Sequence, residues 1–237
     1  MALFRYDPEL LERFPTTVGG LVHARGVRNG PASPALVAEF RDEQEHALER
    51  IGAESVGTLP SIVAWRRVFT AFGVEPTRYR NAAEALLRRL MKHGEIPSVG
   101  TLVDIGNLVS VRYSMPVAVL DLGRVADGIT VRFADGREKF TDLGKDTAEH
   151  PVHGEVIFAD EAGIVHARRW CWRQSAQSAA RADTDEILLA VEGHHGTAAD
   201  DILAAVGDLR HLLGEHCEGA RVGSALLNAG NPSFPGE

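Results

Sequence analysis

The stretch LVDIGNLVSVRYSMPVAVLDL, residues 102–122, contains the change of hydrophobic period that determines the fold class. Its first part is apolar at helical spacing, and Asp104, Asn107, Ser110 and Ser114 follow one another at steps of three and four. On a helix these four residues form a polar stripe along one side. The last part alternates like a strand. The stripe either ties the helix to neighbouring backbone or turns one face of it toward a ligand pocket, and both readings stay open at this stage.

Helical patterns dominate before this stretch, and strand patterns follow it. The predicted elements are a short strand at 19–27, helices at 33–51, 60–73, 81–94 and 101–114, strands at 117–122, 128–133, 137–143, 154–160, 163–174 and 186–193, and a last helix at 197–217. Val37 and Leu203 are expected on the inner faces of their helices, and both chain ends are expected to be loose. This order predicts an α+β fold in which residues 1–237 form a single domain.

Composition narrows the possible classes of protein. The 237 residues are 44% hydrophobic and 24% charged, as in an ordinary globular chain, and the formal net charge of −8 argues against a DNA-binding protein. The two cysteines cannot form a disulfide framework, which favours a reducing cytoplasmic location. The first 14 residues mix apolar and charged side chains, unlike a signal peptide. No apolar run approaches the roughly 20 residues that a membrane span needs, so no membrane partner is expected.

One segment differs in charge from the rest of the chain. Residues 66–92 contain seven arginines and lysines against two glutamates. Arg88 and Arg89 are the expected centre of a basic face that contacts phosphate groups. The alternative is that the arginine pairs form ordinary solvated helix faces.

The usual catalytic signatures are absent from the sequence. There is no GxSxG, Walker-type, GxGxxG or HExxH motif. His150, His153 and Glu155 lie close together in HPVHGE, but no recognised ligand spacing supports a metal site. The sequence therefore predicts neither a metal ion nor a cofactor.

The segment RRWCWRQ, residues 168–174, is the most unusual one in the second half of the chain. On a continuous strand, Trp170 and Trp172 would share one face, with Arg173 on the other. Core packing is one explanation for the tryptophans. Flat aromatic faces beside guanidinium groups also suit an unpaired nucleic-acid base and its phosphate.

Several motifs in combination resemble a known family. The segments are NAAEALLRRLMKHGEIPS, LVDIGN with Asn107, PVAVLDLGRV and GITVRFA, and they are similar to the editing, or tRNA-binding, domain of the phenylalanyl-tRNA synthetase beta subunit. AWRRVFTAFGVEPTRYRN and GEVIFADEAGIVHARRWCWRQ resemble the free-standing relatives of that domain. The resemblance covers about residues 15–230.

The resemblance implies an α+β module with β-sandwich-like mixed sheets packed against helices. In the family, a pocket between the two halves of the domain receives the 3′ aminoacyl end of a tRNA, and water hydrolyses a mischarged ester without a metal or cofactor. By this resemblance, the chain is a tRNA-binding protein and a trans-editing aminoacyl-tRNA deacylase. The alternatives are a pocket protein that binds an amino acid or aminoacyl compound without catalysis, and an interaction module without pocket chemistry.

Three positions depart from the patterns of the synthetase domain and of its free-standing relatives. Ala118 stands where the synthetase domain commonly has histidine, and Gln174 falls near the glutamate of its GGE turn. Tyrosine specificity is therefore not carried over to this chain. In addition, Cys171 stands where the free-standing relatives usually have asparagine.

The candidate site combines residues from distant parts of the chain. Glu192, at the end of a buried strand, is expected at a pocket rim, where burial would raise its pKa, or else at a solvated strand end. The predicted catalytic residues are Asn107, Glu192 and Gln174, and the predicted binding residues are Ser110, Trp172, Arg173, Arg88 and Arg89.

Overall fold

The computed structural model describes residues 2–236, in which helices cover one face of a four-stranded β-sheet, a six-stranded sheet covers its other face, and two further short strands pair with each other. The helices are α1 (Pro8–Arg13), α2 (Pro34–Ile51), α3 (Pro60–Ala71), α4 (Ala82–His93), α5 (Thr101–Tyr113) and α6 (Ala198–His216). The strands are β1 (Ala2–Tyr6), β2 (Val18–Arg25), β3 (Val117–Asp121), β4 (Ile129–Phe133), β5 (Phe140–Thr141), β6 (Ala148–Glu149), β7 (Val156–Ala159), β8 (Val165–Arg168), β9 (Arg173–Gln174), β10 (Glu186–Gly193), β11 (Arg221–Leu227) and β12 (Ser233–Pro235). The expected α+β class is confirmed.

A four-stranded sheet forms the middle layer, with strand order β11-β2-β10-β3 and antiparallel pairing throughout. Successive side chains of a strand point to opposite faces. In β10, Ile187 and Leu189 therefore join the core under the helices, whereas Leu188 and Ala190 join a second core. Because both faces are covered, the strand consists of a nearly continuous apolar run.

The second core lies between the middle sheet and a six-stranded sheet of order β12-β1-β4-β7-β8-β9. Strand β1 pairs in parallel with β4, and the other neighbours are antiparallel. Aromatic side chains fill this layer, among them Phe4, Phe158, Trp65 and Trp170, which are almost fully buried. The two sheets thus form the sandwich-like half of the fold.

Adjacent glycines in β2 let other elements approach the middle sheet closely. A Cβ at Gly20 would lie 2.5 Å from side-chain atoms of Ile202 and Val206 of α6, and a Cβ at Gly19 would collide with the hydroxyl of Tyr6. The lack of side chains at these two positions places α6 on one face of the strand and Tyr6 on the other.

The alternating pattern of residues 163–174 predicts one continuous strand, but the structure has two separate strands there, β8 and β9. Strand β8 ends at Arg168, and Arg169 and Trp170 adopt left-handed conformations with φ of 44° and 62°. The chain turns there before β9 begins. Trp170 consequently enters the core while Trp172 stays half-buried, so the two tryptophans do not share a strand face.

The chain ends also differ from the expectation of loose termini. Strand β1 pairs with β12 and with β4, so the first and last strands of the described residues belong to the six-stranded sheet. Neither strand is long enough to show a clear hydrophobic period, and each depends on its neighbours for hydrogen bonds. Val37 and Leu203, expected on inner helix faces, are 41% and 63% exposed.

Glu84 on α4 is fully buried and lies beside three arginines. Arg66 of α3 donates to its carboxylate at 2.5 and 3.0 Å, and Arg88, one turn further along α4, donates at 2.8 Å. Arg80 approaches within 3.8 Å. Burial raises the pKa of Glu84, but the hydrogen bonds and charges of Arg66 and Arg88 outweigh it and lower the pKa overall. Part of the basic segment therefore neutralises a buried carboxylate.

We expect Glu84→Ala to lower the free energy of unfolding at pH 7 by about 2 kcal/mol, because the guanidinium groups lose their shared acceptor. Glu45→Ala, at an exposed position of α2, is the matched control and should change it by less than about 0.5 kcal/mol. Since the pKa of Glu84 is lowered in the folded protein, its contribution is present at neutral pH and lost as the pH falls through that value. Denaturant unfolding between pH 7 and pH 3 should show the Glu84→Ala difference shrinking, and a difference that grows toward low pH would contradict this assignment.

Candidate functional site

Two adjoining pockets open beside β3, the edge strand of the middle sheet. The inner cavity has a volume of about 90 Å³ and the outer pocket one of about 450 Å³. The two share a wall, which consists of Ala82, Val117, Trp172, Arg173 and Gln174. We refer to these five residues as the shared wall.

The inner cavity extends from the shared wall into the layer between the two sheets. Its apolar lining comes from Phe158 and Ala167 of the six-stranded sheet and from Ala118 and Ala190 of the middle sheet. Glu192, at the end of β10, supplies a carboxylate to this lining. A small, largely apolar cavity with one acid is a typical arrangement for orienting part of a small ligand.

Glu192 is only 2% exposed and is held by two aromatic side chains. The Tyr6 hydroxyl donates to its Oε1 at 2.7 Å, and the Trp170 indole nitrogen donates to the same oxygen at 3.0 Å. Burial raises the pKa of Glu192 to about 7, against the lowering effect of these two hydrogen bonds. The acid can therefore be neutral or ionised near physiological pH.

The surroundings of Glu192 are buried and strongly aromatic. The imidazole of His194 stands edge-on to Trp65 and Trp170, with ring centroids 4.5 and 5.0 Å away. Burial lowers the pKa of His194 to about 3, so this histidine is neutral. Burial and the charge of Glu192 raise the pKa of the Cys171 thiol well above its usual range. Neither group is poised to act as a charged nucleophile or acid at neutral pH.

The outer pocket lies between α4, α5 and the segment that begins at β5. Asn107 and Ser110 line it from α5, Arg89 from α4, and Leu143 from the far side. Ser110 is buried, and its hydroxyl donates to the carbonyl of Met115 at 2.7 Å. Within residues 2–236, no group hydrogen-bonds the side-chain amide of Asn107, which leaves it free for a ligand.

The polar stripe of α5 thus combines two uses. The Asp104 carboxylate accepts from the Val99 backbone nitrogen at 2.8 Å and from the Ser98 hydroxyl, close to the start of the helix. Ser114 ends the helix in a left-handed conformation. Only Asn107 in the stripe both borders the pocket and has no bonded partner among the described residues.

Polar side chains of the shared wall are partly engaged by the protein itself. Gln174 Nε2 donates to the carbonyls of Val119 at 2.5 Å and Ser178 at 3.1 Å. Arg173 is ion-paired with Asp142 and lies over the Trp172 ring, 4.7 Å from its centroid. These contacts fix Gln174 and Arg173 in place at the junction of the two pockets.

Trp172 is also contacted by Tyr79 and Arg169, which form an aromatic and cationic stack. The Tyr79 ring meets it edge-on at 5.1 Å, and the Arg169 guanidinium lies 4.4 Å from its centroid and 3.9 Å from that of Tyr79. The left-handed turn at Arg169 makes this stack possible. Trp172 is thereby held rigidly at the wall while part of it remains exposed.

The predicted site residues are therefore distributed over two pockets. Asn107 and Ser110 line the outer pocket and Glu192 the inner cavity, while Trp172, Arg173 and Gln174 border both. Arg89 borders the outer pocket, but Arg88 is bonded to Glu84 and belongs to neither pocket.

Three residues were not predicted from the sequence as site residues: Trp170 and Cys171, which line the inner cavity, and Tyr6, which donates to Glu192. Tyr6 lies in a segment expected to be loose, and Trp170 and Cys171 are repositioned by the turn after β8. The sequence signal that points to Trp170 and Cys171 is the pair of tryptophans in RRWCWRQ, once the strand is recognised as interrupted.

No group of three or more His, Cys, Asp or Glu residues within 2–236 is arranged to hold a metal ion. The Glu155 carboxylate, considered above with His150 and His153, accepts two hydrogen bonds from the Arg168 guanidinium instead. No helix in the described part of the chain has the length and apolarity required to cross a bilayer.

Comparison with known proteins relates the chain to one synthetase subunit. It is 33% identical over 79 residues to the phenylalanine–tRNA ligase beta subunit of Chromobacterium violaceum, an alignment covering 33% of this chain and 10% of that protein. Among solved structures, it resembles an N-terminal fragment of the phenylalanyl-tRNA synthetase beta subunit from Pyrococcus horikoshii, with a TM-score of 0.46 and 13% identity over 92% of this chain and 49% of the fragment. The matched part is thus a tenth of the curated relative and about half of the solved fragment.

The family comparison covers the larger part of the site. A model of the B3/4 domain matches residues 64–205, which include α4, α5 and every residue of the shared wall. This agrees with the resemblance inferred from the sequence motifs. The match extends over more than half of the chain, and the protein therefore belongs to the B3/4 domain family.

Proposed function

We propose that this chain binds the aminoacylated 3′ end of a tRNA and hydrolyses the ester of a wrongly attached amino acid, acting in trans. The observation that supports this function best is the pair of adjoining pockets, one small and mostly apolar, the other larger and bordered by Arg89, Arg173 and the half-buried Trp172. An aminoacyl-adenosine has two matching parts: an amino-acid side chain for the small pocket, and a base and ribose for the larger one. Such a protein would work in the cytoplasm with the translation machinery.

In this proposal, the outer pocket receives the terminal adenosine. The half-buried Trp172 ring and the Arg173 guanidinium that lies over it border this pocket, and an unpaired base can stack on such aromatic and guanidinium planes. Arg89 borders the same pocket with no acidic partner among the described residues, and it would contact the adjoining phosphate. The overall charge of −8 implies that such binding is weak and sensitive to salt.

The ester would lie at the shared wall, with the amino-acid side chain in the inner cavity. Hydrolysis requires water to attack the ester carbonyl carbon, followed by departure of the ribose oxygen with a proton. The Asn107 amide can donate to the carbonyl oxygen or orient the water, because it carries both a donor and an acceptor. Gln174 can offer only its Oε1, since its amide nitrogen is occupied by two carbonyls. Glu192 lies with the side chain of the amino acid, and we assign it to binding rather than to the chemical step.

A second candidate is a protein that binds an aminoacyl compound without hydrolysing it. The specific observation in its favour is the engagement of Gln174 and Ser110 in backbone hydrogen bonds, together with Ala118 in the apolar lining. Such a protein would keep the pockets and lack turnover.

The decisive experiment is to incubate the purified chain with a panel of correctly and wrongly charged tRNAs and to follow loss of the amino acid. We expect release from at least one mischarged tRNA. Asn107→Ala and Asn107→Asp should each reduce the rate about a hundredfold, because neither side chain can donate to the developing oxyanion. Binding of the tRNA should change less than about twofold. Hydrolysis of none of the esters, with protection of a charged tRNA, would favour the second candidate; absence of both would contradict both.

The two neighbouring arginines of α4 should respond differently to charge reversal. Arg89→Glu should weaken tRNA binding and lower the slope of log affinity against log salt by about one, with little effect on stability, because Arg89 is exposed. Arg88→Glu should destabilise the fold by about 1 kcal/mol, because it places a second carboxylate beside Glu84. This corrects the expectation that both arginines form a free surface.

Arg210→Glu, exposed on α6 and away from both pockets, is the control. Filter binding at several salt concentrations and thermal unfolding distinguish the two effects; equal losses of affinity for Arg89→Glu and Arg210→Glu would place the tRNA elsewhere.

Glu192 should make the protein less stable as the pH rises. Its pKa is raised from 4.5 to about 7, so the folded state holds the proton that the unfolded state releases. Stability from the neutral acid is thus complete below pH 4.5 and is lost up to about pH 7. Relative to Glu192→Gln, which cannot ionise, the wild-type free energy of unfolding should fall by about 2 kcal/mol between pH 5 and pH 8. If the free energies of unfolding of the two proteins change in parallel with pH, the pKa of Glu192 is not raised in the folded state and the prediction is wrong.

A further inference from the structure

One oxygen of the buried Glu192 carboxylate has no protein partner. Tyr6 and Trp170 both donate to Oε1, and within residues 2–236 nothing hydrogen-bonds Oε2. The protein does not enclose Oε2 completely. This oxygen retains contact with open space, and the space that Glu192 borders is the inner cavity. A buried carboxylate oxygen without a partner is costly, so an oxygen left in this state points to a ligand group that completes it.

The size of the inner cavity restricts that ligand. Four alanines contribute to its lining, Ala82, Ala118, Ala167 and Ala190, and its volume is about 90 Å³. A cavity of roughly 150 Å³ is known to hold a benzene ring. The inner cavity is therefore too small for an aromatic side chain and suits a side chain of a few atoms.

We propose that the inner cavity selects aminoacyl groups with a short aliphatic side chain that carries a hydroxyl, and that this hydroxyl is bound by Glu192 Oε2. The inference rests on the proposed function, since it names the class of amino acid that the same site accepts. It makes Glu192 the residue that determines specificity, through direct contact with the substrate.

A hydroxyl fits this position better than an amine or an alkyl group. A hydroxyl can donate to an ionised carboxylate and accept from a protonated one, so it pairs with Glu192 in either state. An ammonium group has three donors to satisfy, and the other side chains around the cavity are mainly alanine and aromatic. An alkyl group of the same shape leaves Oε2 unpaired, and sites built to bind a polar group discriminate strongly against such analogues.

The test uses non-hydrolysable analogues of the aminoacyl 3′ end, in which adenosine carries the amino acid through an amide. Calorimetric titration compares three pairs that differ by one hydroxyl: seryl with alanyl, threonyl with valyl, and tyrosyl with phenylalanyl. We expect the seryl and threonyl analogues to bind at least tenfold more tightly than their partners, and both aromatic analogues to bind most weakly. Equal affinities within the first two pairs, tightest binding of an aromatic analogue, or binding of none of the six would overturn the proposal.

Variants assign the preference to the correct oxygen. The double variant Tyr6→Phe/Glu192→Met replaces the acid and its hydroxyl donor by apolar groups of similar shape, and it should bring the seryl and alanyl affinities within about twofold. Tyr6→Phe alone removes a donor to Oε1 and leaves Oε2 in place, so it should keep the preference. A preference that persists in the double variant would overturn the role of Glu192. Should that variant fail to fold, Ala118→Leu fills the cavity instead, and it should weaken the seryl analogue at least tenfold.

The analogues also separate this inference from the proposed hydrolysis. Preference for the hydroxylated analogues without deacylation of any tRNA would support the inference and contradict catalysis. Deacylation without that preference would do the opposite.

Discussion

Strand β10 is buried on both faces, and this constraint governs the rest of the structure. Successive β10 side chains pack alternately into two cores, one under the helices and one between the sheets. A slip of one residue in the pairing of β10 with β2 and β3 would exchange the two sets. Glu192 falls in the alternate set that faces the six-stranded sheet, and a shift in register would send its carboxylate toward Val191's present position in the helical core. The location of the acid is therefore a consequence of register.

The buried acid in turn depends on a strand near the start of the chain. Glu192 needs donors, and one of them is the hydroxyl of Tyr6 at the end of β1. Strand β1 is held by β4 on one side and by β12 on the other, so the first and last strands of the described chain support the same contact. The absence of a side chain at Gly19 provides the room for the Tyr6 hydroxyl beside β2. Small features far apart in sequence thus converge on one oxygen atom.

Sequence patterns predicted the elements whose signals are local. Asn81 accepts from the Glu84 backbone nitrogen at the start of α4 and Gly94 ends that helix in a left-handed conformation, so these two capping residues bound the helix predicted at 81–94. The turn after β8 escaped prediction because Arg169 and Trp170 are not residue types that favour positive φ, and tertiary contacts hold them there. The ion pairs of the basic segment could not be predicted from local sequence either, because Glu84, the partner of Arg66, lies on another helix. For the candidate site, the motifs pointed to three residues that border both pockets, Trp172, Arg173 and Gln174, but not to Ala82 or Val117, and the division into two pockets depends on packing around the edge of β3.

That edge position has a chemical consequence. The outer pocket is built by helix side chains on one side of β3, and the inner cavity by side chains between the sheets on the other. The two are joined only through the shared wall, where Gln174 and Arg173 are fixed by their own contacts. Changes at Ala118 or Ala190 can therefore alter the volume of the inner cavity without moving Asn107, which is carried by α5. In such an arrangement, the group that recognises a side chain and the group that acts on an ester can vary independently, because a rigid wall separates the positions at which each one meets the ligand.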